Sequence, residues 1–127
     1  MNASLANLLS LLEAALGRLD NALAQPPNEY VRDSAIQRFE FTFELLWKSF
    51  KSFGDDAGVR VFSPKDSLRS AFQLGLIGED PLWLQMLDDR NLTSHTYNLA
   101  TAEAIYSHLP DYARLIRGAL VELKKRD

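Results

Sequence analysis

Apolar residues that recur every three or four positions, with no stretch that alternates every second one, constrain this chain most. Leu5, Leu8, Leu9, Leu12, Leu16, Leu19 and Leu23 set the pattern. At the helical repeat they form one narrow stripe, which needs a surface to be buried against. Pro26-Pro27 stops this helix and Asn28 is suited to cap the next. The second helix is expected over about Asn28 to Phe53. On it Ile36, Phe39, Phe43, Leu46, Trp47 and Phe50 share one face, while Phe41 and Leu45 lie on nearly the opposite one. A helix apolar on two faces packs on both sides, and in so small a bundle the second surface is expected to meet another copy of the chain.

The punctuation of the rest is equally helical. Gly54 to Gly58, with two aspartates between, reads as a loop. Ser63-Pro64-Lys65-Asp66 combines a cap, a first-turn proline and an acidic residue at the positive end of a helix dipole, opening a short helix to about Leu74. Gly75 and Gly78 bracket a turn, and Asp80-Pro81 repeats the start signal for a fourth helix running to about Ser94. From Leu99 to Lys124, Ala102, Ile105, Leu109, Ala113, Ile116, Leu120 and Leu123 form one stripe that stays in phase through Pro110. That predicts one kinked helix or two nearly coaxial ones. The fold class is all-α: an up-and-down bundle of five to six helices, dimeric, with residues 1–127 as a single domain.

Composition excludes more than it suggests. The 127 residues fit one domain, and 46% hydrophobic content is enough to bury a core. The absence of cysteine removes disulfides, thiolate catalysis and cysteine-based zinc sites, and fits a reducing, cytoplasmic setting. The apolar run from Leu5 to Leu16 lacks a basic leader and carries Glu13, so neither a signal peptide nor a membrane span is expected. A net charge of −3 does not advertise nucleic-acid binding, and Lys124-Lys125-Arg126 suits the negative end of a helix dipole. Phosphate loops, paired zinc-binding histidines and nucleophile elbows are all missing, so no cofactor and no metal site is expected. Asp88 and Asp89 diverge on a helix and read as solvated surface, as does His108 beside Leu109.

Arg90-Asn91-Leu92-Thr93-Ser94-His95-Thr96-Tyr97 holds most of the remaining chemistry. With Leu82, Trp83, Met86 and Leu87 as the apolar face of the fourth helix, Arg90 projects from near its middle. A guanidinium there needs a carboxylate, a phosphate or a wet cleft. Thr93 and Thr96 weaken the helix, so the chain is expected to change course near His95, which would bring His95 and Tyr97 beside Arg90. Arginine neutralises phosphate, an imidazole moves a proton and a phenol donates a hydrogen bond or stacks on a base, which suits a phosphodiester. The alternative is structural: Arg90 pairs with Glu40 or Glu44 while His95 caps a helix end.

The run Arg32-Asp33-Ser34-Ala35-Ile36-Gln37-Arg38-Phe39-Glu40-Phe41-Thr42-Phe43-Glu44-Leu45, followed by Trp47-Lys48, resembles the nucleotidyltransferase-substrate-binding branch of the HEPN family. Ser63-Pro64 leading to Ala71-Phe72, then Gly75-Leu76-Ile77, and the segment from Arg90 to Tyr97 carry the same resemblance, which spans nearly the whole chain. It implies a helical homodimer that associates with a separately encoded minimal nucleotidyltransferase and binds RNA or a nucleotide. By resemblance Arg90 and His95 are the catalytic pair of a ribonuclease toxin, Asn91 supports them, and Tyr97 accepts adenylate from the partner. Phe41 and Leu45 are the expected dimer contacts. Asn98-Leu99-Ala100 replaces a more acidic stretch of relatives, and a purely structural adaptor is the alternative function.

Overall fold

The computed structural model describes residues 3–127. It contains α1 (Ala3–Leu23), α2 (Glu29–Asp56), α3 (Pro64–Gln73), α4 (Leu82–Leu92), a 3-10 turn (Thr93–His95) and α5 (Leu99–Lys125), with no strand among the described residues. Side-chain contacts give the helix directions. Arg38 of α2 donates to the Arg18 carbonyl at 2.7 Å, while Phe41 and Leu45 face Leu11, Ala14 and Ala15, so α2 runs back along α1. Lys124 and Arg117 of α5 pair with Glu13 and Asp20, so α5 also opposes α1. Trp83 meets Phe50 edge-on and Arg90 reaches Glu44, which sets α4 against α2. The result is an up-and-down bundle of α1, α2, α4 and α5, with short α3 laid mainly on α2.

The helix starts predicted at Asn28, Ser63 and Asp80 are formed, and Asn98 adds a cap that the sequence pattern does not single out. Asn28 accepts from the Val31 amide at 2.8 Å and Ser63 from the Asp66 amide at 3.1 Å. Asp80 takes the Leu82 amide at 3.0 Å, and Asn98 takes Thr101 at 3.1 Å. Gly75, at φ 75°, ends α3 with Leu76 N–H donating to the Ala71 carbonyl and Gly75 N–H to Phe72, a closure that needs a residue free of a Cβ penalty. The core is one cluster in which Phe39, Phe43, Leu46, Phe50, Leu12, Leu19, Ile105, Leu109, Tyr112 and Ile116 are almost wholly buried. Of the first-helix stripe, Leu5, Leu9, Leu12, Leu16 and Leu19 are buried, while Leu8 and Leu23 are only half-buried at its edge.

Two boundaries differ from expectation. The loop placed at Gly54 begins later, because α2 continues to Asp56. Gly54 is there for close approach rather than for a turn: a Cβ on it would stand 3.2 Å from Ser70 Oγ and 3.3 Å from the Val59 carbonyl. The turn itself falls at Gly58, φ 80°. At the other boundary α4 stops at Leu92, two residues early, as Thr93 Oγ1 donates back to the Arg90 carbonyl at 2.7 Å. Pro110 lies inside a continuous α5, so the one-helix alternative holds.

Candidate functional site

The break between α4 and α5 carries the sequence-predicted residues. Arg90 leaves the last turn of α4 toward α2, where its Nη2 donates to Glu44 Oε2 at 3.2 Å. Its Nη1 donates to Asn91 Oδ1 at 3.4 Å, and its Cζ stands 5.8 Å from the Phe43 ring centroid. Glu44 is a shared acceptor: the Trp47 indole N–H donates to it at 3.0 Å, and Lys48 lies at 3.3 Å. The Trp47 bond foremost holds the Glu44 carboxyl below the usual range; burial, the next largest effect, opposes it, and Lys48 and Arg90 add to the lowering. Glu40, one turn earlier, is pushed up by burial, with Arg90 and the Thr93 hydroxyl pulling the other way. The guanidinium thus bonds Glu44 and acts through its charge on Glu40, two carboxylates of opposite perturbation, and stays one-third exposed.

Beyond Leu92 the chain tightens into the 3-10 turn, Thr96 Oγ1 donates to the Thr93 carbonyl at 3.3 Å, and Asn98 N–H donates to the His95 carbonyl at 3.1 Å. This is the change of course expected near His95. It brings His95 and Tyr97 together, with His95 Nδ1 at 3.1 Å from the Tyr97 hydroxyl and the rings edge-on at 5.8 Å. Tyr97 is 85% exposed, so its ring is no part of the core. Arg90 hydrogen-bonds to neither of them among the described residues; its carboxylate partner is Glu44, as the structural alternative expected. His95 does not cap a helix, because Asn98 takes that place for α5. Asn91 is exposed beside Arg90. Phe41 and Leu45 lie elsewhere, on the α1–α2 face, where they line a cavity of about 270 Å³ with Leu11, Ala14, Ala15, Arg18 and Arg38.

Two readings are corrected. Asp89 is not solvated surface: it is 7% exposed and accepts from Tyr112 Oη at 2.5 Å, with His108 Nδ1 at 2.8 Å. His108 is accordingly a half-buried partner of that carboxylate rather than a free surface residue. Gln85 completes the cluster by donating to the Tyr112 hydroxyl at 3.0 Å. Burial, then the bond to Asp89, pushes the Tyr112 phenol far above its usual range. The available signal was spacing, since His108 and Tyr112 are four apart and share a face of α5. This cluster clamps α4 to α5 one residue before Arg90.

An all-α bundle that presents arginine, histidine and tyrosine at the break before its last helix defines the class. Residues 5–125 match the family described as nucleotidyltransferase substrate binding protein like, and the chain belongs to that family. It is 34% identical over 138 residues to the probable ribonuclease HepT of Haemophilus influenzae, covering 94% of this chain and 93% of that one. A crystal structure from Thermus thermophilus superposes with a TM-score of 0.83 at 44% identity, covering 88% of this chain and 98% of that one. A Haemophilus influenzae structure, described as the fold of a substrate binding domain of a nucleotidyltransferase, gives a TM-score of 0.82 at 31% identity over 91% and 98% of the two chains. Among the described residues no helix is long and apolar enough to cross a membrane.

Proposed function

We propose that this chain is a metal-independent endoribonuclease and the substrate-binding partner of a separate minimal nucleotidyltransferase, the two forming a cytoplasmic toxin–antitoxin pair. The observation that carries this is the exposed His95–Tyr97 pair, bonded at 3.1 Å, five residues after a guanidinium that remains one-third exposed. Family membership and the likeness to a probable ribonuclease support it. With Nδ1 engaged by Tyr97, His95 has Nε2 left for substrate. In the tautomer whose Nδ1–H donates to the Tyr97 oxygen, Nε2 takes the proton of a ribose 2′-hydroxyl as that oxygen bonds to phosphorus and the bond to the 5′-oxygen breaks; the imidazolium so formed returns its proton to the leaving 5′-oxygen, directly or through water. Arg90 balances the charge that builds on the phosphoryl oxygens. When the partner adenylates Tyr97, the phenolic oxygen bonds to the α-phosphorus of ATP, pyrophosphate leaves and the phenolic proton is lost to solvent; the resulting phosphodiester beside His95 adds bulk and negative charge where the substrate phosphate belongs. The chain works as a homodimer through Phe41 and Leu45, since Phe41 is 46% exposed and Leu11, facing it, 47%.

A non-catalytic adaptor is the second reading, and one observation favours it: Arg90 already holds a carboxylate, Glu44. Cleavage of labelled RNA by the isolated protein, with and without the partner and ATP, separates the two. The enzyme reading expects cleavage that persists in EDTA, vanishes in Arg90→Ala and His95→Ala, and is silenced by the partner. Intact RNA under all conditions leaves the adaptor.

A further inference from the structure

A second group of side chains with nucleotide-recognising chemistry lies at the far end of α2. After the turn at Gly58 the linker to α3 buries Val61 and exposes its two neighbours, Arg60 and Phe62. They border a cavity of about 240 Å³ with Asp66, Arg69, Ser70 and Gln73 of α3. Phe62 is 76% exposed, a phenyl face left in water beside a buried valine that anchors its backbone. The Arg60 side chain has no ion pair or hydrogen bond among the described residues, whereas Arg69 is paired with Asp66. Ser70 is 3% exposed, and its Oγ is the buried side-chain oxygen without a hydrogen-bond partner. The cavity thus combines an aromatic platform, an unneutralised guanidinium and an amide that both donates and accepts, while the Ser70 hydroxyl is turned against Gly54.

From these features we propose that this cavity is a subsite for one base–phosphate unit of single-stranded RNA, the base stacked on Phe62 and the phosphate drawn to Arg60. Base–aromatic stacking is indifferent to sequence and pairs naturally with a cation that tracks the backbone. The cavity falls below the roughly 300–1,000 Å³ of pockets that enclose a small ligand, so the unit lies across it, as one nucleotide of a passing strand does. Gly54, packed on Ser70, is ten residues from Glu44, about 15 Å along α2. The subsite is therefore separate from Arg90, which Glu44 holds. It shares its ligand class with the function proposed above but rests on different residues.

Fluorescence anisotropy with a labelled oligoadenylate tests it, using full-length protein carrying His95→Ala so that the strand survives. Adding Phe62→Ala or Arg60→Ala weakens binding by about five-fold or more, and Phe62→Trp retains it. Thermal melts matching the parent's show that these exposed substitutions leave the fold intact. Adenosine monophosphate as competitor separates two sources of the same chemistry. Displacement that disappears with Phe62→Ala assigns the subsite to a free nucleotide, and no displacement assigns it to a strand. Unchanged affinity in both alanine variants overturns the proposal, as does failure of oligonucleotide and mononucleotide alike to bind. Binding that depends on Phe62 in a wild-type protein that cleaves no RNA would sink the ribonuclease reading alone, leaving the subsite standing.

Discussion

Replacing Arg90 with alanine separates a guanidinium that serves chemistry from one that holds the bundle together. Its structural worth can be worked out from its contacts. The bond to Glu44 joins side chains that are 33% and 39% exposed, and a pair so open to solvent contributes about 0–1 kcal/mol. The approach to Phe43 at 5.8 Å adds about 0.5–1 kcal/mol. The Thr93 bond that ends α4 goes to the Arg90 carbonyl and survives the substitution. The loss is therefore at most about 2 kcal/mol. For 127 residues each kcal/mol moves the melting midpoint by about 4 °C, so circular dichroism should show a drop of no more than about 8 °C. Phe43→Ala, the removal of a wholly buried ring, should cost about 3–5 kcal/mol and serves as the structural control. Arg90→Lys keeps the charge and loses the bidentate fork, so stability stays near the parent's while RNA cleavage falls with Arg90→Ala. A melting loss as large as that of Phe43→Ala would refute the argument and make Arg90 a post of the fold. Cleavage that survives the alanine would remove it from the chemistry.

The buried cluster gives a pH prediction. Folding keeps the Tyr112 phenol protonated where the unfolded chain ionises near pH ~10, so its contribution is complete below that value and is lost as pH rises above it. Absorbance at 295 nm should show one tyrosine that titrates only with unfolding, and Tyr112→Phe should delete that late component; a titration unchanged by the substitution would contradict it. Tyr112→Phe should also cost about 1.5–3 kcal/mol, the worth of a hydrogen bond to a charged group. Incubation with the partner nucleotidyltransferase and ATP should raise the intact mass of the wild type but not of Tyr97→Phe, with equal gains counting against Tyr97 as the acceptor. Sedimentation at micromolar concentration should give a dimer that Phe41→Glu converts to a monomer, and a wild type that sediments only as monomer rules out that interface.

Most of the bundle was legible because its signals are local. The leucine stripe, the Asn28 and Ser63 caps and the glycine after α3 are each read within a turn or two; the stripe is realised by burial, and the caps and the glycine closure through bonds of 2.8 to 3.1 Å. What failed were tertiary effects. Gly54 looked like a turn because glycine usually marks one, whereas here it admits the Ser70 side chain against a continuing helix. Thr93 and Thr96 did announce the break, since their hydroxyls compete for the carbonyls that the helix would use.

Asp88, Asp89 and Arg90 show most sharply where sequence reasoning runs out. Successive residues on a helix point about 100° apart, so three charges in a row must face three ways. The apolar face of α4 places Arg90 near the middle of a contact, but the divergence of Asp88 and Asp89 gives no sign that a second helix covers the flank carrying Asp89. In the structure α4 packs on both α2 and α5, so only Asp88 is exposed. Asp89 is held by Tyr112 and His108 on one side, Arg90 by Glu44 on the other. Apolar contacts alone are non-directional and would let so short a helix rotate between its neighbours. The two polar anchors, made by adjacent residues to opposite helices, set its rotation. They thereby set the direction in which the chain leaves Leu92 for His95 and Tyr97, so the rotation of α4 and the placement of the candidate site are a single structural problem.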